Sequence, residues 1–112
     1  MNFIIAFPTG YKVDDVYNGN IDINVIVNDE EVYFGTIFTI SNIQELMVKD
    51  ESDYFWATDM VIVNNLSRKC IWNAVKEIVE ENYITQIFSK IGNSHQIFPE
   101  GINNKNLMTS DD

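Results

Sequence analysis

The chain has 112 residues, of which 46% are apolar and 21% are charged, and its formal net charge at pH 7 is −10. This length and composition predict one globular domain with a single hydrophobic core. Residues 14–59 contain eleven acids and one base, whereas the acids and bases of the remaining chain balance. A concentrated negative charge repels nucleic-acid phosphates and anionic lipids and attracts basic proteins. We therefore expect a protein partner rather than a nucleic acid or a membrane, although the same acids would also serve solubility alone.

The compartment is indicated by the single cysteine and by the N-terminal residues. Cys70 has no second cysteine with which to form an internal disulfide, which favours a reducing compartment. Phe3–Phe7 is an apolar run with no basic segment before it, and the run is too short for a secretion signal. No run approaches the ~18 apolar residues of a membrane span. These features predict a cytoplasmic protein whose first strand is formed by residues 2–7.

A hairpin is predicted after a connection over residues 8–20 that is rich in turn-forming residues. Apolar and polar residues alternate over Ile21–Val27, which is the pattern of a strand with one buried face. β-branched and aromatic residues dominate Glu31–Ile40 and predict a second strand. The polar break over residues 28–30 is short enough for a hairpin turn.

A short helix and a further strand are predicted next. Ser41 has the chemistry of an N-cap, and apolar residues at helical spacing predict a helix over Ser41–Val48. An acidic loop over Lys49–Asp53 follows. Tyr54–Val63 is predicted to be a strand, and its nearly continuous apolar end predicts a central position in the sheet. The connection between the two strands is long enough for a parallel crossover.

Two helices are predicted in the second half of the chain. Ser67 is expected to cap the main helix, which runs from Arg68 to Glu81 and has an apolar stripe at helical spacing. A second helix is predicted over Ile84–Ile91, with Gly92 as its C-terminal stop.

The domain organisation follows from these elements. Residues 1–92 are predicted to form a single α+β domain, with about four strands in a mixed sheet and helices covering one face. Residues 93–112 are mostly polar and are predicted to form a mobile C-terminal tail.

The residues needed for common catalytic and metal sites are scarce. A Ser or Cys nucleophile needs a base, and the only histidine, His95, lies in the predicted tail. Cys70, beside two cations, is interpreted either as a reactive thiolate or as a small apolar residue packed beside Ile71. One Cys and one His cannot form the usual zinc site, and the acids of residues 50–53 lack the spacing of a calcium loop. We predict a protein without enzymatic activity, metal or cofactor.

The stretch DESDYFWATD, residues 50–59, combines four acids with three consecutive aromatic residues. In a strand, neighbouring side chains point to opposite faces, so these aromatic side chains cannot all enter one core. Tyr and Trp are frequent anchors of protein interfaces. The residues predicted to bind a partner are Asp50, Glu51, Asp53, Tyr54, Trp56 and Asp59. Core packing is the alternative for the two aromatic residues, and a position at the sheet rim or a bond to a backbone amide is the alternative for Asp59.

The segments FGTIFTISNIQELM and YFWATDMVIVNNLSRKCIWNAVKEIV, together with the acidic balance, resemble small bacterial immunity proteins of polymorphic-toxin and contact-dependent inhibition systems. The resemblance covers residues 21–91 and also rests on the predicted order of strands and helices. It implies a cytoplasmic inhibitor that binds one cognate toxin domain and blocks its active site. Members of such families bind different toxins, so no toxin-contacting residue is carried over by position.

Two functions are therefore expected from the sequence. In the first, a basic toxin domain such as a nuclease binds the acidic surface, where the acids of residues 50–59 present a phosphate-like array of charges. In the second, the chain is a homodimeric structural or regulatory adaptor that associates through its sheet.

Overall fold

The computed structural model describes residues 2–102 and 106–111 and shows a mixed α+β fold. In chain order its elements are β1 (Phe3–Ala6), β2 (Asn20–Val27), β3 (Glu31–Thr39), α1 (Ile40–Lys49), β4 (Met60–Val63), α2 (Arg68–Glu80), α3 (Ile84–Ile87), β5 (Ser89–Asn93), α4 (Ser94–Ile97) and β6 (Leu107–Met108). The α+β class is thus confirmed, but the sheet of the described residues has six strands rather than four.

The strands form one mixed sheet in the order β4-β3-β2-β1-β6, and β5 also pairs with β3. Within the described residues only the β3–β4 pair is parallel, and α1 makes the crossover between these two strands, as the sequence predicted. Strand β2 pairs along nearly the whole of β3, so β4 and β5 share the other side of β3. Strands β5 and β6 are short and lack an alternating apolar pattern, which is why the sequence did not predict them.

The predicted hairpin is present between β2 and β3. Val27 pairs with Glu31, and the Glu30 amide donates to the Val27 carbonyl oxygen at 3.1 Å. Asn28 and Asp29 have φ of 53° and 58°, a left-handed conformation that Asn and Asp tolerate better than other residues with a side chain. The polar break in the sequence therefore corresponds to a tight turn.

The main core lies between one face of the sheet and helices α2 and α3. The predicted stripe of α2 is buried at Ile71, Val75, Ile78 and Val79, and the Ser67 hydroxyl accepts from the Cys70 amide at 3.2 Å as the predicted N-cap. These contacts confirm the main helix and its start, and the helix ends one residue earlier than expected.

The opposite face of the sheet has its own small core. Ala6, Ile26 and Val32 are buried there, and Ile97 of α4 and the neighbouring Phe98 pack against them. Helix α4 therefore lies on this second face, so the prediction that the helices cover one face is wrong for α4. The sequence did not reveal this cover because α4 is a single turn with a mostly polar sequence.

The segment predicted to be a tail contributes further contacts. Strand β6 pairs with β1, and Met108 is completely buried in the main core. The Phe7 amide also donates to the Asn106 carbonyl oxygen at 2.8 Å. Residues 103–105 and 112 of the predicted tail lie outside the described residues.

The predicted strand Tyr54–Val63 is wrong in its first part and in its position. Only Met60–Val63 is a strand, because Asp59 has φ of 55° and breaks the extended conformation. In the described residues β4 pairs only with β3, so it lies at the sheet edge rather than at its centre. Ile62 is accordingly 52% exposed, although a central strand would bury it.

Two other local predictions are also corrected. Phe88 is extended, with φ of −112° and ψ of 161°, so the predicted helix Ile84–Ile91 stops at Ile87 and β5 follows. The N-cap of α1 is Thr39 rather than Ser41, because the Thr39 hydroxyl accepts from the Asn42 amide.

No helix within residues 2–102 and 106–111 has the length and apolarity needed to cross a membrane.

Candidate protein-interaction surface

The segment between α1 and β4, residues 50–59, is a loop that begins with a sharp reversal at the end of the helix. The Asp50 amide donates to the Leu46 carbonyl oxygen at 3.0 Å, and the Ser52 amide donates to the Met47 carbonyl oxygen at 2.9 Å. Glu51 lies between them with φ of 52°, a conformation usually taken by Gly at a helix end. The reversal satisfies helix carbonyl groups and holds three acidic residues near the C-terminal end of α1.

The three consecutive aromatic residues of this loop have different environments. Phe55 is half-buried, and its ring packs edge-to-face on Phe38 of β3, with ring centroids 5.1 Å apart. Its neighbours Tyr54 and Trp56 are 70% and 72% exposed. The Phe55 contact thus anchors the middle of the loop to the second face of the sheet, and the core-packing alternative does not apply to Tyr54 or Trp56.

Two adjacent cavities bring most of the predicted partner-binding residues together. The first has a volume of about 220 Å³, and Asp50, Tyr54 and Trp56 are among its lining residues. Glu51 and Asp53 line the second. Both cavities include Met47 and Ser52, so they form one continuous surface.

We call this region the acidic–aromatic surface and define it by six residues. They are Val48, Asp50, Glu51, Asp53, Tyr54 and Trp56. Val48 is 79% exposed and was not among the residues predicted to bind a partner. Val48 lies outside the apolar stripe that Ile43, Leu46 and Met47 form at helical spacing, and this position could have indicated from the sequence that its side chain is exposed.

The carboxylates of the acidic–aromatic surface are exposed and form no ion pair in the described part of the chain. Asp50, Glu51 and Asp53 take part in no ion pair there, and the ion pair that is present joins Lys90 to Glu31 at 3.1 Å. The negative end of the α1 macrodipole lies beside these groups and adds to their field. The surface therefore presents three carboxylates around exposed apolar side chains, with Lys49 in the last turn of α1 as the neighbouring base.

Asp59 is separate from this surface. Its side chain accepts a hydrogen bond from the Ser89 hydroxyl at 2.7 Å, and its carbonyl oxygen accepts from the Thr36 amide at 2.9 Å. These bonds join the start of β4 to β5 and β3, and Asp59 lines neither cavity of the acidic–aromatic surface. The arrangement matches the position at the sheet rim that the sequence left open for Asp59, and its binding to a partner stays a prediction.

The remaining chemistry-bearing side chains are dispersed. Cys70 is a partly buried free thiol on α2, and His95 is exposed on α4. Among residues 2–102 and 106–111, no group of three or more His, Cys, Asp or Glu side chains is arranged to hold a metal ion.

Comparisons with known proteins found no relative of this chain. No protein-family model matches the chain, and neither the curated proteins nor the solved structures include a match.

Proposed function

We propose that the chain is an immunity protein that binds a cognate basic toxin domain through the acidic–aromatic surface and covers the active site of the toxin. The observation that carries this proposal is the exposure of Tyr54 and Trp56 beside three carboxylates that have no ion-pair partner among the described residues. Exposed apolar side chains rimmed by charged residues often mark protein-interaction sites, and Tyr and Trp are frequent anchors of such interfaces.

The two chemistries of the surface have different roles in such a complex. The carboxylates attract a basic partner over a distance of about one Debye length, ~10 Å at 0.1 M salt, and raise the association rate. The aromatic side chains are desolvated only in the complex, and they slow dissociation. An inhibitor of a lethal protein needs both properties, because it must bind quickly and remain bound.

Charge reversal tests the proposal in cells that co-express the chain with a toxin domain encoded next to it. We expect the triple variant Asp50→Lys, Glu51→Lys, Asp53→Lys to lose protection, because it reverses the field that attracts the toxin. The matched control is Glu77→Lys, Glu80→Lys, Glu81→Lys, which makes the same change in net charge on exposed positions near the end of α2.

The two variants separate the location of the charge from its amount. Protection that survives in the control and fails in the first variant supports the acidic–aromatic surface. Unchanged protection in the first variant would refute the assigned surface, and equal loss in both variants would show that overall charge alone matters. Urea denaturation of both variants checks that the fold is retained.

The homodimeric adaptor is favoured by a different observation, the open edge of β4. This strand pairs only with β3 in the described residues, and Ile62 on it is 52% exposed. Open edges of this kind can pair with a second copy. Sedimentation equilibrium would show a dimer under this alternative, and Ile62→Lys would return it to a monomer.

A further inference from the structure

We propose that the cavity between α1 and residues 50–56 holds an arginine side chain of the protein partner. In this arrangement the guanidinium group stacks on Trp56 and pairs with the Asp50 carboxylate. The inference rests on the proposed function, because it names the group of the partner that the acidic–aromatic surface recognises.

The size of the cavity favours a single side chain as its occupant. Its volume of about 220 Å³ accommodates one side chain, and the adjoining cavity of about 570 Å³ leaves room for neighbouring residues of the partner. Its walls are formed by Leu46 and Met47 of α1 on one side and by the loop on the other. An extended side chain with an apolar stem can lie along such walls and place its polar end at the rim.

The aromatic groups select for a flat cation. Tyr54 and Trp56 both line the cavity and leave most of their surface exposed to a partner. The face of an aromatic ring carries negative potential and attracts cations, and indole is the strongest of the aromatic side chains in this respect. Arginine stacks on such a ring with its whole guanidinium plane, whereas lysine presents a compact and strongly hydrated point charge.

The charge of the cavity lining also favours an arginine side chain as the occupant. Asp50 lines it, has no ion-pair partner in the described residues and stands at the negative end of α1. No Lys or Arg side chain is among the residues that line the cavity. A carboxylate and a guanidinium group can form two parallel hydrogen bonds, which adds geometric selection to the attraction of charge. An anionic or neutral occupant would leave this carboxylate unpaired.

The test uses the full chain and two peptides of equal length and charge, one of alternating glycine and arginine and one of alternating glycine and lysine. Nuclear magnetic resonance follows the indole N–H signals of Trp56 and Trp72 during each titration. Trp72 is an internal control, because it is stacked on Phe3 at a ring-centroid distance of 4.4 Å and is partly buried.

We expect the arginine peptide to shift the Trp56 signal and to bind about two- to fivefold more tightly than the lysine peptide, as an exposed cation–π contact implies. The substitution Trp56→Leu should abolish this preference while keeping an apolar side chain. The matched control is Tyr83→Leu, which removes an exposed aromatic residue near Glu80 and Glu81 and should leave the preference intact.

Equal binding of the two peptides, or shifts that spread over the acidic residues without Trp56, would overturn the arginine site. Those results would leave the proposed function in place, because the co-expression test does not depend on these peptides. An arginine preference at Trp56 together with failed protection from the toxin would instead refute the immunity function and keep the arginine site.

Discussion

The contact between Gly35 of β3 and the ring of Phe88 allows a stability prediction that depends on tertiary structure alone. A Cβ atom added at Gly35 would lie 2.2 Å from Cε1 and 2.3 Å from Cδ1 of Phe88. Both distances are below the 3.0 Å at which real Cβ contacts essentially cease. Phe88 is only 2% exposed, so its ring cannot move toward solvent without opening the main core. Gly35→Ala is therefore expected to displace a buried aromatic ring.

The expected cost is larger than the usual benefit of replacing Gly in a strand. Overpacking a well-packed core costs ~1–3 kcal/mol, and the higher part of this range applies because three ring atoms, including Cζ at 2.9 Å, lie closer than 3.0 Å. Alanine recovers ~0.5–1 kcal/mol through its lower backbone entropy in the unfolded chain. We expect Gly35→Ala to lower the free energy of unfolding by about 1–2 kcal/mol.

Urea denaturation followed by circular dichroism measures this change. The comparison includes Phe88→Leu, the double variant, and Gly19→Ala as a control in which the added Cβ meets only the flexible end of Leu66, at 3.1 Å. The double variant should be less destabilised than the sum of the single variants by at least ~0.5 kcal/mol, because the smaller Leu side chain relieves the clash. Additive effects, or a Gly35→Ala cost no larger than that of Gly19→Ala, would refute the reasoning.

Two further predictions concern buried hydroxyl groups. The Tyr11 hydroxyl is buried without a hydrogen-bond partner in the described residues, so Tyr11→Phe should raise the free energy of unfolding at pH 7 by ~1 kcal/mol. Burial also raises the pKa of Tyr11 above 10.0, so the unfolded chain ionises first and the free energy of unfolding falls as the pH rises past 10. Urea titrations at rising pH should show a weaker fall in Tyr11→Phe, and an unchanged fall would contradict this explanation. Thr39 is 1% exposed, and its hydroxyl caps α1 and also bonds both the amide and the carbonyl oxygen of Gly19. Thr39→Ala should therefore lower the free energy of unfolding by ~2 kcal/mol, measured by thermal or urea unfolding. Ser41→Ala should cost less than half as much, and the reverse order would show that Ser41 is the effective cap.

The exposure of the aromatic residues in the acidic–aromatic surface was predicted from the sequence, but the structure shows a different cause for it. The sequence placed Tyr54 and Trp56 outside the main core by assuming that they belong to a strand with alternating faces. They are exposed instead because they lie in a loop that Phe55 anchors through Phe38. Neither that contact nor the separation of Asp59 is visible in the sequence, because both depend on residues that are distant along the chain.

The elements with local signals were predictable from the sequence. The alternation of β2, the stripe of α2 and the Ser67 cap each involve residues only a few positions apart, so the chain carries the whole pattern. The crossover through α1 follows in the same way from the spacing of its flanking strands. The concentration of negative charge in residues 14–59 is likewise a property of composition.

The edges of the sheet and the cover of its second face depend on contacts between residues that are distant along the chain. Strands β5 and β6 are short, and they exist because β3 and β1 offer unpaired backbone groups with which they form hydrogen bonds. Phe88 ends the short helix before β5, because its ring fills the space left by the missing side chain of Gly35. Such contacts join residues dozens of positions apart, and their free energy arises only when the sheet has formed.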